Sequence, residues 1–430
     1  MAYLPEEIII NILLKLPVKS LLRFRSVCKL WLSLIKSSNF AQIHLNHAKQ
    51  NNKSLVFHSR FGGSPLYSTT NYETCEVTTL DLPTNSNLPT DKCVCVGSRD
   101  GILCLTSGKG NYNLPICLWN PATRDYLELP YTAKYDHQNY ESHMFFFDPF
   151  VKRYKVVKVC ILWHEEENEE EYEVEDGVMD GDGDEDEIGN GDEDENGAED
   201  EIGNGDEDEN GAEDEIGNGD EGENVNEIEA RVEKHKAYVY TLGSGSWRKV
   251  EDSIYSLTVC NNTSLNEVLN GVIHGIGFNT LDQEIIIGFD IKEEVFREIR
   301  IPNHGYDKIY SYNEYTTDIM VLGGHLCVYF SFYYHVDVWI LKEYGVPNSW
   351  TKQFSFIQPT LERMYLANVI SIGNNGEILF HHMGKGVVSY KPENGKLKHF
   401  QMRAVPLRFR ASTYMSSLIS LKTDEEVEEP

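Results

Sequence analysis

The beginning of the chain has its apolar residues at helical spacing. Ile8, Ile12 and Leu16 recur every four positions, which is the pattern of an amphipathic helix. Pro5 suits the first helical turn, because its φ is already helical and its missing N–H would have no partner there. Pro17 cannot continue the helix. The pattern therefore predicts a helix between the two prolines.

Two further short helices are predicted directly afterwards. Leucine, phenylalanine and tryptophan recur at helical spacing around residues 21–25 and again around residues 30–35. Three short helices in so few residues bury too little of their surface to hide apolar side chains on every side. Apolar faces left on short helices usually bind a groove or a helix of another protein. We therefore expect this segment to need a partner.

The segment LPEEIIINILLKLPVKSLLRFRSVCKLWLSLI resembles the F-box family nearly position by position. The resemblance implies a three-helix domain over residues 1–48 that docks on the Skp-type adaptor of a cullin–RING ubiquitin ligase. The alternative is a helical cap that packs only on its own domain. The residues that match the apolar pattern and docking face of the family are Leu4, Pro5, Ile8, Ile12, Leu16, Pro17, Val18, Leu21, Val27, Cys28 and Trp31.

A repeat of strand-like runs fills the rest of the chain. With residues 165–229 set aside, the runs that start at residues 101, 154, 271, 324 and 376 lie 53, 52, 53 and 52 residues apart. Short strands and glycine-rich turns at such a period indicate a kelch-type β-propeller of about six blades. Residues 55–57 would begin an extra blade, and residues 416–421 would form the closing strand. A large β-sandwich is the weaker alternative.

The same region resembles the F-box-associated domain of plant proteins. The resemblance is carried by DGILCL (100–105), LWNPATR (118–124), YKVV (154–157), LNG (269–271), VWILKEYG (338–345) and SWTK (349–352). It implies a mainly β fold with a small α-helical domain at the start, in a plant F-box protein of the kind that includes immune-receptor regulators and S-locus pollen factors. The implied function is target recognition within a Skp–cullin–F-box ubiquitin ligase. A propeller scaffold outside ubiquitin transfer, with the F-box used only for assembly, is the alternative.

An acidic low-complexity insert interrupts the repeat. Residues 165–229 hold 34 Asp and Glu and no Lys or Arg, so the formal net charge of −31 becomes +3 when they are set aside. So few apolar residues cannot offset the entropy of ordering, and disorder is predicted. The insert would separate two propeller parts, residues 53–164 and 230–421, and residues 422–430 would be an acidic tail. A tolerated repeat expansion and a docking tail for a basic partner are both consistent with this composition.

One stretch of the insert partly matches a calcium-binding loop. Asp182, Asp184, Asp186 and Glu193 occupy positions 1, 3, 5 and 12 of such a loop. Position 6, however, is Glu187 where glycine is needed, and no amphipathic helix flanks the stretch. Specific calcium binding is therefore disfavoured.

No motif for bond chemistry stands out. The nine cysteines include Cys93 and Cys95 on one strand face, but no zinc-type pair of Cys-x-x-Cys motifs occurs, and neither do a His-Glu-x-x-His, a Gly-x-Ser-x-Gly or a phosphate-binding loop. We therefore expect no cofactor, no metal and no catalytic residue. No basic stripe with interleaved aromatic residues suggests nucleic-acid binding.

The sequence also indicates a cellular location and candidate residues for target binding. The chain shows neither a cleavable signal pattern nor an apolar stretch of about 18 residues, and its cysteines follow no disulfide or metal-binding pattern. These features favour a location in the cytoplasm, the nucleus or both, without membrane contact. Tyr306, Tyr310, Tyr312 and Tyr315 are candidate anchors for a protein target whose identity the sequence does not give. Packing at a blade edge is an equal alternative for these four residues.

Overall fold

The fold was analysed in a computed structural model of the 430-residue chain. The acidic insert and the end of the acidic tail, and with them every expectation that concerns residues 165–229 and 423–430, lie outside the described residues. The boundaries assigned to the domains from the sequence stay predictions. The structure describes residues 5–49, 54–59, 65–83, 87–88, 93–107, 115–131, 140–161, 235–257, 268–303, 305, 315–332, 335–357, 368–372, 376–382, 386–402, 405 and 409–422.

Four helices open the chain, namely α1 (Glu6–Leu13), α2 (Val18–Phe24), α3 (Lys29–Lys36) and α4 (Ser38–Lys49). The first three correspond to the predicted helices, and α4 was not predicted. The reason is that α4 is polar overall and buries a histidine, His44, among its few apolar positions. The Nε2 atom of that ring lies 2.9 Å from the carbonyl oxygen of Leu16. None of the described helices is long and apolar enough to cross a membrane.

In the described residues twenty-four strands follow, all joined in antiparallel pairs, and the short 3-10 helices Tyr72–Thr74 and Pro347–Ser349 lie between them. The strands are β1 (Leu55–Ser59), β2 (Leu66–Thr69), β3 (Thr78–Leu80), β4 (Cys93–Arg99), β5 (Ile102–Ser107), β6 (Cys117–Asn120), β7 (Asp125–Glu128), β8 (Tyr140–Asp148), β9 (Arg153–Ile161), β10 (Lys236–Thr241), β11 (Trp247–Lys249), β12 (Ser256–Leu257), β13 (Val272–Phe278), β14 (Glu284–Asp290), β15 (Val295–Arg300), β16 (Tyr315–Leu322), β17 (His325–Phe332), β18 (His335–Leu341), β19 (Trp350–Ile357), β20 (Asn368–Ile372), β21 (Ile378–His382), β22 (Gly386–Lys391), β23 (Lys396–Phe400) and β24 (Phe409–Thr413).

The strands form six four-stranded sheets, which confirms a six-bladed propeller. In chain order the sheets are blade 1 (β24-β1-β2-β3), blade 2 (β4–β7), blade 3 (β8–β11), blade 4 (β12–β15), blade 5 (β16–β19) and blade 6 (β20–β23). Blade 1 is built from both ends of the chain, so pairing of β24 with β1 closes the ring. The predicted extra blade at residues 55–57 is therefore present.

The predicted closing strand was wrong. Residues 416–421 form no strand, and β24 (Phe409–Thr413) pairs with β1 (Leu55–Ser59) instead. The apolar residues Leu418, Ile419 and Leu421 suggest a short strand, but Leu418 packs with the helices and Leu421 packs between blades 2 and 3. Tertiary packing therefore decided this segment, as it often does for short apolar runs.

Apolar clusters between neighbouring blades hold the ring together. One cluster combines residues of blades 1 and 2, another those of blades 2 and 3, and others join blades 5 and 6 and blades 6 and 1. The largest extends across blades 3, 4 and 5. A single four-stranded sheet cannot bury both faces, so stacking around a closed ring supplies the missing partner for each blade.

Tryptophans on outer strands add hydrogen bonds between blades. Trp247 on β11 donates from Nε1 to the carbonyl oxygen of Pro130, which follows blade 2, at 2.6 Å. Trp350 on β19 donates in the same way to the carbonyl oxygen of Arg300, at the end of blade 4, at 2.9 Å. Trp247 and Trp350 therefore each bind the preceding blade.

Consecutive turns of each antiparallel blade alternate between two faces of the ring. The helix-side face is defined by the β4–β5 turn (100–101) and the β6–β7 turn (121–124), because the helices contact the propeller there. The connections from the second to the third strand of each blade, and those between blades, open on the opposite face. The acidic insert lies between β9 and β10, so the described ends of these two strands place its two attachment points on the opposite face.

A buried tyrosine joins blades 5 and 6 and gives a test of the ring. The Tyr329 hydroxyl donates to Asp318 Oδ2 at 3.2 Å and accepts from the backbone N–H of Val369 at 2.8 Å. We expect Tyr329→Phe to lower the free energy of unfolding by about 1–3 kcal/mol, since it leaves buried polar groups without this partner. Urea unfolding followed by tryptophan fluorescence measures the change. Tyr131→Phe, at a side chain that is 65% exposed, is the matched control and should change nothing.

Candidate functional site

The apolar residues of the helices divide into a buried core and an exposed set. Leu13, Leu21 and Ile35 are at most 1% exposed and form the core of the helical domain. Phe40 and Leu45 on α4 are buried as well. The helical domain therefore has a packed interior, to which Leu418 from the end of the chain also belongs.

The exposed apolar set consists of four residues of the first three helices and their connections, Ile8, Ile12, Val27 and Leu30, which are 44%, 50%, 59% and 49% exposed. Ile43 on α4 is 42% exposed and is not counted in this set. Ile8 and Ile12 lie one turn apart on α1, so their side chains are neighbours on one helix face. Val27 and Leu30 flank the start of α3. Large aliphatic side chains concentrated on one small domain are typical of a docking surface.

The structure divides the docking residues predicted from the sequence. Pro5, Pro17 and Cys28 are exposed together with three members of the exposed apolar set, whereas Leu16 and Trp31 are half-buried, and the Trp31 ring lies 5.4 Å from that of Phe24. Leu4 lies outside the described residues.

Two of the predicted docking residues need correction. Val18 is 4% exposed and Leu21 is 0% exposed, and both belong to the helical core. They cannot touch a partner unless the helices separate. Both fit the apolar pattern because a core residue and a docking residue look alike in a sequence.

The exposed apolar set contains one residue that the sequence analysis did not assign to docking. Leu30 is the second residue of α3 and lies three positions after Val27. The helical spacing of Leu30 placed it among the apolar residues of the third predicted helix. The sequence signal that could have identified it is the neighbouring tryptophan, since Trp31 covers the inner side of the same turn.

The helices are seated on blade 2 of the propeller. The core cluster of the helical domain includes Leu418 and is contacted by Ala122 in the β6–β7 turn. Lys49 at the end of α4 forms an ion pair with Asp100 in the β4–β5 turn, with Nζ 2.7 Å from Oδ1. The propeller therefore covers one side of the helical domain and leaves the exposed apolar set uncovered.

The helical domain holds more basic than acidic residues. The first fifty residues hold seven Lys or Arg against Glu6 and Glu7. Partial burial lowers the pKa of the Arg25 guanidinium, and the Asp125 carboxylate of blade 2 acts in the opposite direction. The first fifty residues therefore carry a net positive charge.

The structure describes one of the four tyrosines proposed as target anchors. Tyr306, Tyr310 and Tyr312 lie outside the described residues. Tyr315 at the start of β16 is half-buried, and its ring lies 5.9 Å from that of Phe330 and 5.3 Å from that of Phe332. This residue packs at the edge of the blade core, so the packing alternative applies to it.

The described part of the chain holds no group of three or more His, Cys, Asp and Glu side chains that could bind a metal ion. Cys93 and Cys95 share one buried face of β4, as their alternation predicts. Burial raises the pKa of the Cys95 thiol to about 12, so this thiol stays protonated near neutral pH. The eight described cysteines are free thiols.

Two protein families match the chain in consecutive parts. The F-box domain matches residues 2–42. The F-box associated beta propeller domain matches residues 44–175 and 224–422. The first match contains α1 to α3, with the whole exposed apolar set, and the second contains all six blades. The second interval breaks within the acidic repeat.

Relatives in Arabidopsis thaliana resemble the chain over almost its whole length. F-box protein At3g07870 is 24% identical over 439 residues, which cover 96% of this chain and 91% of that protein. F-box protein CPR1 is 23% identical over 444 residues, with coverage of 97% and 89%. Among solved structures, an oligogalacturonate lyase from Vibrio parahaemolyticus aligns with a TM-score of 0.39 at 8% identity, over 80% of this chain and 78% of that one. This similarity is too weak to indicate a shared function.

Adjacent residues of α1 give a test of the division into core and exposed set. Ile12→Gln should change the free energy of unfolding by less than about 0.5 kcal/mol, because the side chain is half exposed and glutamine keeps helix propensity. Leu13→Ala, one residue further, should lower it by about 2–5 kcal/mol, because Leu13 is fully buried. Thermal and urea unfolding of both variants provides the comparison. Equal losses would show that the division is wrong.

Proposed function

Because this chain belongs to the F-box proteins that carry an F-box associated β-propeller domain, we propose that it is the target-recognition subunit of a Skp–cullin–F-box ubiquitin ligase. The helices bind the Skp-type adaptor, and the propeller binds a protein target. The observation that supports this most strongly is the exposed apolar set, which lies within the F-box match and is not covered by the propeller. Four aliphatic side chains near half exposure offer the apolar area that an interface core requires.

The mechanism of such a subunit is proximity. The adaptor links the helices to the cullin and RING subunits, which carry the ubiquitin-loaded conjugating enzyme, and the propeller holds the target nearby. Tethering raises the effective concentration of the target lysine near the thioester without any bond chemistry in this chain. F-box and propeller domains are typical of adaptor proteins that lack catalysis, and we infer that this chain is not itself an enzyme and needs no cofactor.

The target is proposed to bind the opposite face of the propeller. The helices contact the helix-side face at the turns of blade 2, whereas the connections between blades open on the other side. Described residues there include exposed Tyr131, Ile254 and Leu281, which are 65%, 39% and 74% exposed. Loops on a rigid scaffold are where binding specificity usually resides. Tyr306, Tyr310 and Tyr312 belong to one of these connections and stay candidates.

A location in the cytoplasm or nucleus completes the proposal. A ubiquitin ligase works in a reducing compartment, where buried thiols such as those of Cys93 and Cys104 stay unpaired. Cell fractionation of the tagged full-length protein tests this location.

Binding to the adaptor is the direct test. A purified Skp-type adaptor should bind the full chain, and Ile8→Asp combined with Ile12→Asp should weaken binding by at least about tenfold, because both charges enter an apolar interface. Isothermal titration calorimetry measures the affinity. Leu281→Asp, at a 74% exposed residue in the β13–β14 turn, introduces the same charge on the opposite face of the propeller and should leave binding unchanged. Equal affinity of wild type and double variant would contradict the docking surface.

Target turnover separates the ligase from the scaffold alternative. Proximity labelling in plant tissue with the proteasome blocked should recover proteins that accumulate and carry ubiquitin only when the adaptor-binding helices are intact. The Ile8→Asp, Ile12→Asp variant should still label the same proteins through its propeller, without their ubiquitination. Adaptor binding by wild type with no change in turnover of any labelled protein would favour the scaffold.

A further inference from the structure

The segment that follows the closing strand makes contacts that ring closure does not require. After β24 ends at Thr413, residues 414–422 continue without a strand across the helix-side face of blade 2. We call residues 414–422 the C-terminal strap. Within it Ser417 is 0% and Leu418 is 4% exposed, so the strap is part of the packed interior.

Apolar residues of the strap bridge the two domains. Leu418 lies in the core cluster of the helices, together with Leu13, Leu21 and Ile35. Ile419 contacts that cluster and also the one between blades 2 and 3, and Leu421 is buried in the latter. A single chain segment therefore has one side in the helical core and the other in the propeller core.

Hydrogen bonds fix the strap to blade 2. The Asn120 side chain, which is fully buried, donates from Nδ2 to the carbonyl oxygens of Ser417 at 3.2 Å and Ile419 at 2.8 Å. The Ser417 hydroxyl donates to the carbonyl oxygen of Asp100. Gly101 leaves space for this contact, because a Cβ atom there would lie 2.4 Å from Ser417 Oγ. Buried amide groups that are fully paired in this way favour one arrangement over others.

The same turn of blade 2 also holds the end of α4. Asp100 forms an ion pair with Lys49, whose Nζ lies 2.7 Å from Oδ1, and accepts a hydrogen bond from the Tyr154 hydroxyl through Oδ2 at 3.1 Å. Burial and the nearby Asp100 carboxylate raise the pKa of Tyr154, so its hydroxyl keeps the proton that it donates. Asp100 thus links helix α4, blade 3 and, through its carbonyl group, the strap.

We propose that the C-terminal strap holds the helical domain in one orientation on the propeller. Its residues Ser417 and Leu418 are positioning residues. The part of this inference that concerns catalysis rests on the proposed function: a fixed orientation sets where the propeller presents the target lysine relative to the ubiquitin thioester. Without the strap, the contacts that remain between the described residues of the helices and the propeller include the Lys49 ion pair, the Ala122 contact and the electrostatic interaction of Arg25 with Asp125.

Distance measurements on the full chain test the strap directly. Nitroxide labels on genetically encoded amino acids at Ser33 on α3 and Lys292 on blade 4 keep the native cysteines intact. Double electron–electron resonance should give a single narrow distance peak for wild type. Leu418→Ser should lose that peak and give a broad distribution, whereas the conservative Leu418→Met and a chain ending at residue 422 should keep it. Circular dichroism confirms folding, and adaptor titration shows whether the helices remain intact.

A second variant covers the case in which Leu418→Ser fails to fold. Ser417→Ala removes the strap hydroxyl that donates to the carbonyl oxygen of Asp100, leaves the apolar cores and the Lys49 ion pair untouched, and should also broaden the distribution. A narrow peak at the wild-type distance in every folded variant would overturn the proposal. The measurement needs no adaptor, so a wild-type chain that shows the narrow peak but binds no adaptor would contradict the proposed function and leave the strap standing.

Discussion

Antiparallel pairing between β24 and β1 is the constraint on which the rest of the structure depends. It closes the ring of six blades and brings the last described segment beside the first strand, where the Tyr414 N–H donates to the Ser54 carbonyl oxygen at 3.1 Å. Because of this closure, Leu418 reaches the core of the helices that precede β1. The position of the helical domain therefore follows from how the propeller is closed.

The small size of the helical domain explains why it leaves apolar residues exposed. Its core and its contact with blade 2 use the side chains of Leu13, Leu21, Ile35 and Phe40, and no second layer covers the outer faces of α1 and α3. Each aliphatic side chain that moves from water into an interface contributes on the order of 1.5–3 kcal/mol when fully buried. The exposed apolar set can therefore stabilise a complex without weakening the free chain.

The sequence predicted those features that repeat or that obey a local rule. Helical spacing identified α1 to α3, and the period of the strand runs identified the blades. The apolar pattern could not predict which residues are buried. Ile12 and Leu13 are adjacent and both aliphatic, yet Ile12 is 50% exposed and Leu13 is 0% exposed. Val18 and Leu21 were assigned to docking for the same reason.

Features that depend on contacts between residues far apart in the chain could not be predicted from the local sequence pattern. The run at 416–421 was predicted to be a strand, but its neighbours in space are α-helices and blade 2. Helix α4 was missed because its buried face includes His44, and Tyr315 gave no sign that two phenylalanines on β17 would enclose it. Each of these depends on residues far away in the chain.

The most direct measurement of the central claim is hydrogen–deuterium exchange of the full chain with and without a Skp-type adaptor. The account predicts that the adaptor slows exchange of backbone amides in α1 and in the turn from Val27 into α3, while exchange in residues 414–422 and in the six blades stays the same. Protection confined to the propeller, or none in α1 and that turn at saturating adaptor, would contradict it.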